Sequence, residues 1–348
     1  MLAVAQALAG AEPDAEIVCV GTGAGLETTL VPQAGYELRL IDPVPLPRRL
    51  SVELLTVPVR LNRAVKQAAA ILRERRAEVV VGFGGYASLP VFLAARRLRV
   101  PVVVHEANAV PGLANRIGAR FAARVLVTFA NTGLPRQVVV GMPVAARVAG
   151  LDRAAMRALA RAEFGLDPAA PVLLVSGGSQ GAKTLNQATT AALSQLAGDG
   201  VAVLHVTGKA NFDEPVDTTG IAPGLYVRLP YAARMDLAYA AADMMLARSG
   251  AATVAETAIV GLPAIFVPLP HGNGEQAKNA AGSVQAGAGI LVDDAELTPS
   301  ALVGRVRWLL SDNRLARMSQ AGHDLMPRDA AAKVAREAIA LATTRRPQ

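Results

Sequence analysis

The sequence predicts an α/β protein made of two doubly wound, Rossmann-like halves. Three observations predict it. Short β-branched runs recur without polar alternation, as strands buried on both faces of a parallel sheet require. Stretches rich in Ala, Leu and Arg with helical spacing lie between them. The alternation also runs twice, restarting after the polar, proline-bearing Gly141-Met142-Pro143-Val144. A length of 348 residues suits two domains better than one.

Taken in order, Leu2 to Ala9 reads as a helix closed by Gly10. The first strand is Ile17–Val20, followed by Glu78–Val81, Pro101–Val104 and Val125–Val127, and this set ends near Val140. A helix from Asp152 to Phe164 leads into the second set: Pro171–Val175, Val201–Val206, Met244–Leu246 and Pro263–Val267. An amphipathic helix over about Asp329 to Ala342 is expected to cross back onto the first half. The expected domains are residues 1–144 and 145–326, with 327–348 carrying the returning helix. Twin domains of this kind bind ligands in the cleft onto which strand C-termini open.

The opening helix is out of order. A doubly wound domain begins with a strand that sits in mid-sheet. Without it, Ile17–Val20 and Glu78–Val81 flank an unfilled position, and the first sheet lacks its first central strand. Each buried backbone group left unpaired there costs about 1–3 kcal/mol. A start displaced from the natural one is the expected explanation.

Composition narrows the function. Hydrophobic residues at 52% and charged residues at 18% exclude a disordered chain. Cys19 is the single cysteine, so neither an intrachain disulfide nor a cysteine-ligated cluster can form. His105, His205, His271 and His323 are far apart, so a metal site is not expected. No apolar run approaches the roughly 18–20 residues of a membrane span, and the first residues lack the basic lead of a signal peptide, so a cytoplasmic location is expected. The net charge of +7 sits in residues 1–150, with 17 basic against 10 acidic residues, whereas the remainder balances at 18 each. A basic surface suits anionic lipid or a phosphorylated substrate. With aromatics at 4% and no nucleic-acid-binding motif, nucleic acid is not an expected partner.

The loops after the strands carry the candidate chemistry. Ser176-Gly177-Gly178-Ser179-Gln180-Gly181-Ala182 joins a strand to a helix, and it reads as a phosphate cradle or as a tight turn. Arg248-Ser249-Gly250-Ala251 opens another helix, with Ser249 suited to its N-cap. Glu256, about two turns in, needs a partner if buried and suits ribose hydroxyls. Gln276 and Asn279 follow a third strand and suit sugar hydroxyls, or a solvated loop. In the first half, His105 and Glu106 make a candidate acid/base pair beside Asn108. The glycines of Gly21-Thr22-Gly23-Ala24-Gly25 lack dinucleotide spacing. Basic and apolar residues mix from Arg48-Arg49 through Arg60, Arg63 and Lys66, as in a helix with a solvated basic face or an interfacial membrane element.

In this order the loops resemble the MurG family of undecaprenyl-pyrophosphoryl-N-acetylmuramoyl-pentapeptide N-acetylglucosaminyltransferases. The resemblance covers nearly the whole chain: LAVAQAL at 2–8, VGTGAGLE at 20–27, LVPQAGYEL at 30–38, GGYAS at 84–88, PVVVHEAN at 101–108, GMPV at 141–144, GGSQGA at 177–182, RSGAATVAE at 248–256 and GLPAIFVPLP at 261–270. It implies a GT-B glycosyltransferase of peptidoglycan synthesis that uses UDP-GlcNAc and no cofactor or metal. Ser179 matches the nucleotide-phosphate loop. Ala251, Ala252, Thr253, Val254, Ala255 and Glu256 match the uracil and ribose segment, with Glu256 on the ribose. Gln276 matches a sugar-binding glutamine, and Asn108 a residue near the reacting groups. Tyr86, His105 and Glu106 match other cleft positions.

The same resemblance implies a first domain that meets the undecaprenyl-linked acceptor and the anionic inner-membrane surface through residues near 48–66. The enzyme would then be peripheral, on the cytoplasmic face. Two departures stand out. The family's opening strand and GGTGGH loop, with its histidine base, have no counterpart here, which leaves His105 and Glu106 as the candidate bases. Where the family has an arginine after GMPV, this chain has Ala145, and Arg147 is the candidate replacement. The alternatives are another GT-B lipid glycosyltransferase, a UDP-GlcNAc 2-epimerase, or an inactive nucleotide-sugar-binding protein. A nicotinamide oxidoreductase is more distant, since the GxGxxG fingerprint is missing.

Overall fold

A computed structural model describes residues 1–23, 25–44, 56–178, 180–271 and 273–344. The chain divides into two compact units, Met1–Pro143 with the segment from Asp329 onward, and Val144–Arg328.

The first unit contains α1 (Leu2–Ala11), β1 (Val18–Gly21), α2 (Glu27–Gln33), β2 (Glu37–Leu40), α3 (Val57–Glu74), β3 (Val80–Gly82), α4 (Ser88–Arg97), β4 (Val102–Glu106), α5 (Leu113–Gly118), β5 (Arg124–Val127) and β6 (Gln137–Val139). Its strands are parallel but fall into two sheets, β1-β2 and β3-β4-β5-β6. β1 and β3, the two strands that the sequence places on either side of the missing central strand, fall in different sheets.

α3 shows how sequence spacing fixes a buried face. Ala64, Val65, Ala68, Ala69, Ile71 and Leu72 repeat at helical intervals and are buried, whereas Val59, Arg60, Arg63 and Lys66 are exposed. Phe92 of α4 is fully buried, and its ring occupies the space that a Cβ on Gly82 or Gly118 would need, 2.1 and 2.6 Å away. Only glycine at the end of β3 lets that ring close onto the sheet.

The second unit contains α6 (Ala146–Ala149), α7 (Arg153–Phe164), β7 (Val172–Ser176), α8 (Lys183–Gly198), β8 (Ala202–Val206), β9 (Tyr226–Leu229), α9 (Met235–Ala241), β10 (Met244–Ala247), α10 (Ala251–Ile259), β11 (Ala264–Phe266), α11 (Glu275–Gln285), β12 (Gly289–Leu291), α12 (Pro299–Leu310) and α13 (Arg314–Leu325). The last helix, α14 (Ala330–Thr343), belongs to the first unit. There Val334 packs with Val4 of α1, Val103 of β4 and Leu126 of β5.

Six parallel strands in the order β12-β11-β10-β7-β8-β9 form the second unit's sheet. The chain runs outward through β8 and β9, then returns to the other side of β7 with β10. β7 and β10 are therefore neighbours at a topological switch point, with Ser176 paired to Ala247 at their C-terminal ends. Beneath it, the buried Arg161 of α7 donates to the Ala241 and Pro168 carbonyls and to Asp243, which also accepts from the Val172 N–H and pairs with Arg157. The charges are thus paired and hydrogen-bonded, the condition for burying them. Among the described residues no helix is long and apolar enough to cross a membrane.

Candidate active site

The switch point brings together the two loops that the sequence singles out. After β7, the Ser176 hydroxyl accepts the Gly178 N–H. The loop then folds tightly against the end of β8. A Cβ on Gly177 would lie 2.3 Å from the Ala182 nitrogen, and one on Gly181, where φ is +77°, would lie 2.1 Å from the Thr207 carbonyl oxygen. Glycine is therefore required by the loop's own packing, whatever it binds. Ser179 lies outside the described residues.

α8 starts from Ala182 and α10 from Gly250, both in extended backbone. Among the described residues, neither start has a side-chain cap or an acid in its first turn. Two helix starts without side-chain caps at neighbouring strand ends favour an anion through their N–H groups and dipoles. The expected Ser249 cap is corrected here. Gly250 takes the cap position and Ser249 is turned wholly inward, where its carbonyl accepts from Asn279 Nδ2. Its hydroxyl has no partner among the described residues.

On α10, Ala251, Val254 and Ala255 are buried, Ala252 is exposed, and Thr253 and Glu256 are half-buried. The helix turn therefore sends only part of the Ala251–Glu256 segment outward. Glu256 Oε2 accepts from the Tyr239 hydroxyl at 2.7 Å. Burial pushes the Glu256 carboxyl above its ordinary value, against the opposing pull of the Tyr239 hydrogen bond and the Arg147 charge. Tyr239 is driven well above the ordinary phenol value, first by burial and then by Glu256.

Arg147, half-exposed on α6, lies 3.5 Å from Asp236 and donates to the Ala233 carbonyl. Gln276, in the first turn of α11, accepts the Leu269 N–H. Arg248 donates to the Val267 and Pro268 carbonyls and to Asp294, and Asp294 accepts from Thr184 at the start of α8. Sequence reasoning missed Tyr239, Asp294 and Thr184. Tyr239 sits in the apolar run Leu237-Ala238-Tyr239-Ala240, which carries no signal beyond a buried helix.

In the first unit the structure assigns other work to the candidate acid/base pair. His105 is 1% exposed, and its Nε2 lies 3.0 Å from the Gly141 carbonyl oxygen. Burial lowers its pKa to about 4. Glu106 is 2% exposed and accepts from the Asn108 N–H, the Gly112 N–H and Asn115 Nδ2. A buried neutral imidazole and a carboxylate with three donors on it fasten the loop after β4. Asn108 is half-buried and Tyr86 exposed on the same unit. Among the described residues no group of three His, Cys, Asp or Glu side chains could hold a metal ion.

Two Rossmann-like units, one with paired helix starts at its switch point, are the architecture of the GT-B class. The glycosyltransferase family 28 N-terminal domain matches residues 1–127, and the C-terminal domain of that family matches residues 172–335. The chain is 54% identical over 345 residues to a UDP-N-acetylglucosamine--N-acetylmuramyl-(pentapeptide) pyrophosphoryl-undecaprenol N-acetylglucosamine transferase of a Nocardioides species, covering 98% of this chain and 94% of the relative. A Mycolicibacterium smegmatis protein of the same name is 53% identical over 352 residues, covering 99% of this chain and 91% of the relative. A crystal structure of Acinetobacter baumannii MurG aligns with a TM-score of 0.78 and 28% identity, covering 97% of this chain and 94% of that one. The chain belongs to the MurG family within glycosyltransferase family 28. A Listeria monocytogenes protein described as a putative UDP-N-acetylglucosamine 2-epimerase, 12% identical with a TM-score of 0.64, shares the fold alone.

Proposed function

We propose that the chain transfers GlcNAc from UDP-GlcNAc to the undecaprenyl-pyrophosphoryl-MurNAc-pentapeptide, a step of peptidoglycan synthesis. The observation that carries the donor half is the pair of helix starts at the β7–β10 switch point, lacking side-chain caps among the described residues, with Glu256 further along the second helix. The 4-hydroxyl of the muramoyl sugar attacks the anomeric carbon of the donor. The bond from that carbon to the β-phosphate oxygen of UDP breaks in the same displacement, which inverts the configuration. Charge gathering on the departing diphosphate is met by the N–H groups opening α8 and α10. The hydroxyl proton goes to a base, for which His105 and Glu106 are this chain's candidates.

In this reading the second unit holds the donor. The backbone at Ala251 and Ala252 serves phosphate and uracil, Glu256 takes ribose hydroxyls, and Gln276 takes the sugar; Ser179, the residue that matches the family's nucleotide-phosphate loop, lies outside the described residues. Arg147, whose charge acts on Glu256, stands in for the arginine that Ala145 replaces. The first unit takes the acceptor, with Tyr86 and Asn108 contributing. It rests on the cytoplasmic face of the membrane as a peripheral protein, held by anionic lipid headgroups. Exposed Val59, Arg60 and Lys66 on α3 support that contact, and residues 48–55 of the same segment lie outside the described residues.

The test is GlcNAc transfer from labelled UDP-GlcNAc to a lipid-linked MurNAc-pentapeptide acceptor, with product anomeric configuration read by NMR. A β-linked disaccharide is expected. Epimerised or hydrolysed donor with no disaccharide would overturn the reading.

A further inference from the structure

We infer that Tyr239 is a positioning residue of the donor site. Its phenol pins one carboxylate oxygen of Glu256 and leaves the other to accept from a ribose hydroxyl. The inference rests on the proposed reading that Glu256 meets the ribose.

Three observations carry it. Tyr239 is 2% exposed, and a buried phenol needs a hydrogen-bond partner. Among the described residues its only acceptor is Glu256 Oε2, and nothing donates to Oε1. The tyrosine is itself fixed at both ends, since its backbone carbonyl accepts from Arg153 Nε at 3.1 Å. A glutamate side chain is rotamer-rich, and holding one oxygen removes the freedom that a ribose would otherwise have to remove on binding.

The groups that act on Glu256 come from two elements. α9 supplies Tyr239 and α6 supplies the charge of Arg147. From the other helices packed against α10, His323 of α13 is turned to the Ile259 carbonyl and Asn279 of α11 to the Ser249 carbonyl. The phenol therefore also favours the carboxylate form, the form able to accept from hydroxyls.

The experiment is steady-state kinetics of full-length Tyr239→Phe against UDP-GlcNAc from about pH 5 to 9. The expected result is a KM raised about tenfold near pH 6, the order of one hydrogen bond to a charged group, while kcat falls much less. The acid limb of kcat/KM moves up by about one pH unit, because the unpartnered carboxyl holds its proton longer. Site-specific 3-fluorotyrosine at 239, a stronger donor of the same shape, moves the limb down, and it decides the matter if the phenylalanine variant fails to fold.

Glu256→Gln separates the two claims. A Glu256→Gln enzyme with unchanged KM for the donor overturns the ribose reading, and the inference with it. A Glu256→Gln enzyme with raised KM, beside Tyr239 variants that keep the parent acid limb and KM, overturns the positioning role alone.

Discussion

Among the described residues both units contain six parallel strands, yet they are bonded differently. In the second unit the six form one ladder, with β7 and β10 partnered on both sides. In the first, two and four strands form separate sheets, so β1 and β3 are each partnered on one side only. The burial follows the bonding. β7, β8 and β10 are buried at every position, whereas β1 alternates and β2 is half-buried at best. A parallel strand draws its stability from neighbours on both edges, so one break in the ladder weakens two strands together.

Amide hydrogen exchange would expose this contrast most strongly. Amides of β1 and β2 should exchange on the order of 10⁴-fold faster than those of β7 and β10, as locally opening segments do relative to a globally protected core. Equal protection in the two sheets would erase the contrast.

A substitution in the stronger unit comes next. Arg161→Ala takes the buried guanidinium away from Asp243, leaving it the half-exposed Arg157 and the more distant charge of Arg153, and should cost about 3–5 kcal/mol in denaturant unfolding of the second unit. A loss below about 1 kcal/mol would mean that the pair contributes little to that unit.

Acidification should weaken both units to a similar degree. His105 in the first and His205 in the second are each lowered by burial from 6.5 to about 4. Between those values the unfolded chain binds the proton and the folded chain does not. Stability is therefore full above about pH 6.5 and falls as the pH drops toward 4, by up to about 3 kcal/mol for each histidine. Unfolding followed in His105→Gln and His205→Gln should show a flatter acid slope in each.

The smallest effect is expected at Glu106→Gln. The amide keeps one oxygen acceptor for three donors and should cost about 2 kcal/mol in the first unit, read as a shift of its unfolding midpoint.

What the sequence made legible follows the same division between interior and edge. All eight strands read from β-branched runs lie at or near those runs. β2, β9 and β12 were missed, and β6 is marked only by the end of the first strand set near Val140. Each of these four lies at a sheet edge and is short and partly exposed, so none carries the apolar run of an interior strand. The glycine loops were readable because a buried strand delivers them to a helix start. The contacts of Tyr239 and Arg161 were not, since helical spacing buries a side chain without showing which carboxylate from another element it meets. At His105 and Glu106 the adjacent polar residues were legible as candidate chemistry, whereas the turn they hold in place was not, since its partners come from Gly112, Asn115 and Gly141 further along the chain.

Arg248 has a mechanical consequence. With one planar group it grips the exit of β11 and, through Asp294 and Thr184, the root of α8, while belonging itself to the segment before α10. These three stretches of backbone cannot drift independently; they behave as a single collar, and displacing any one of them drags the others along.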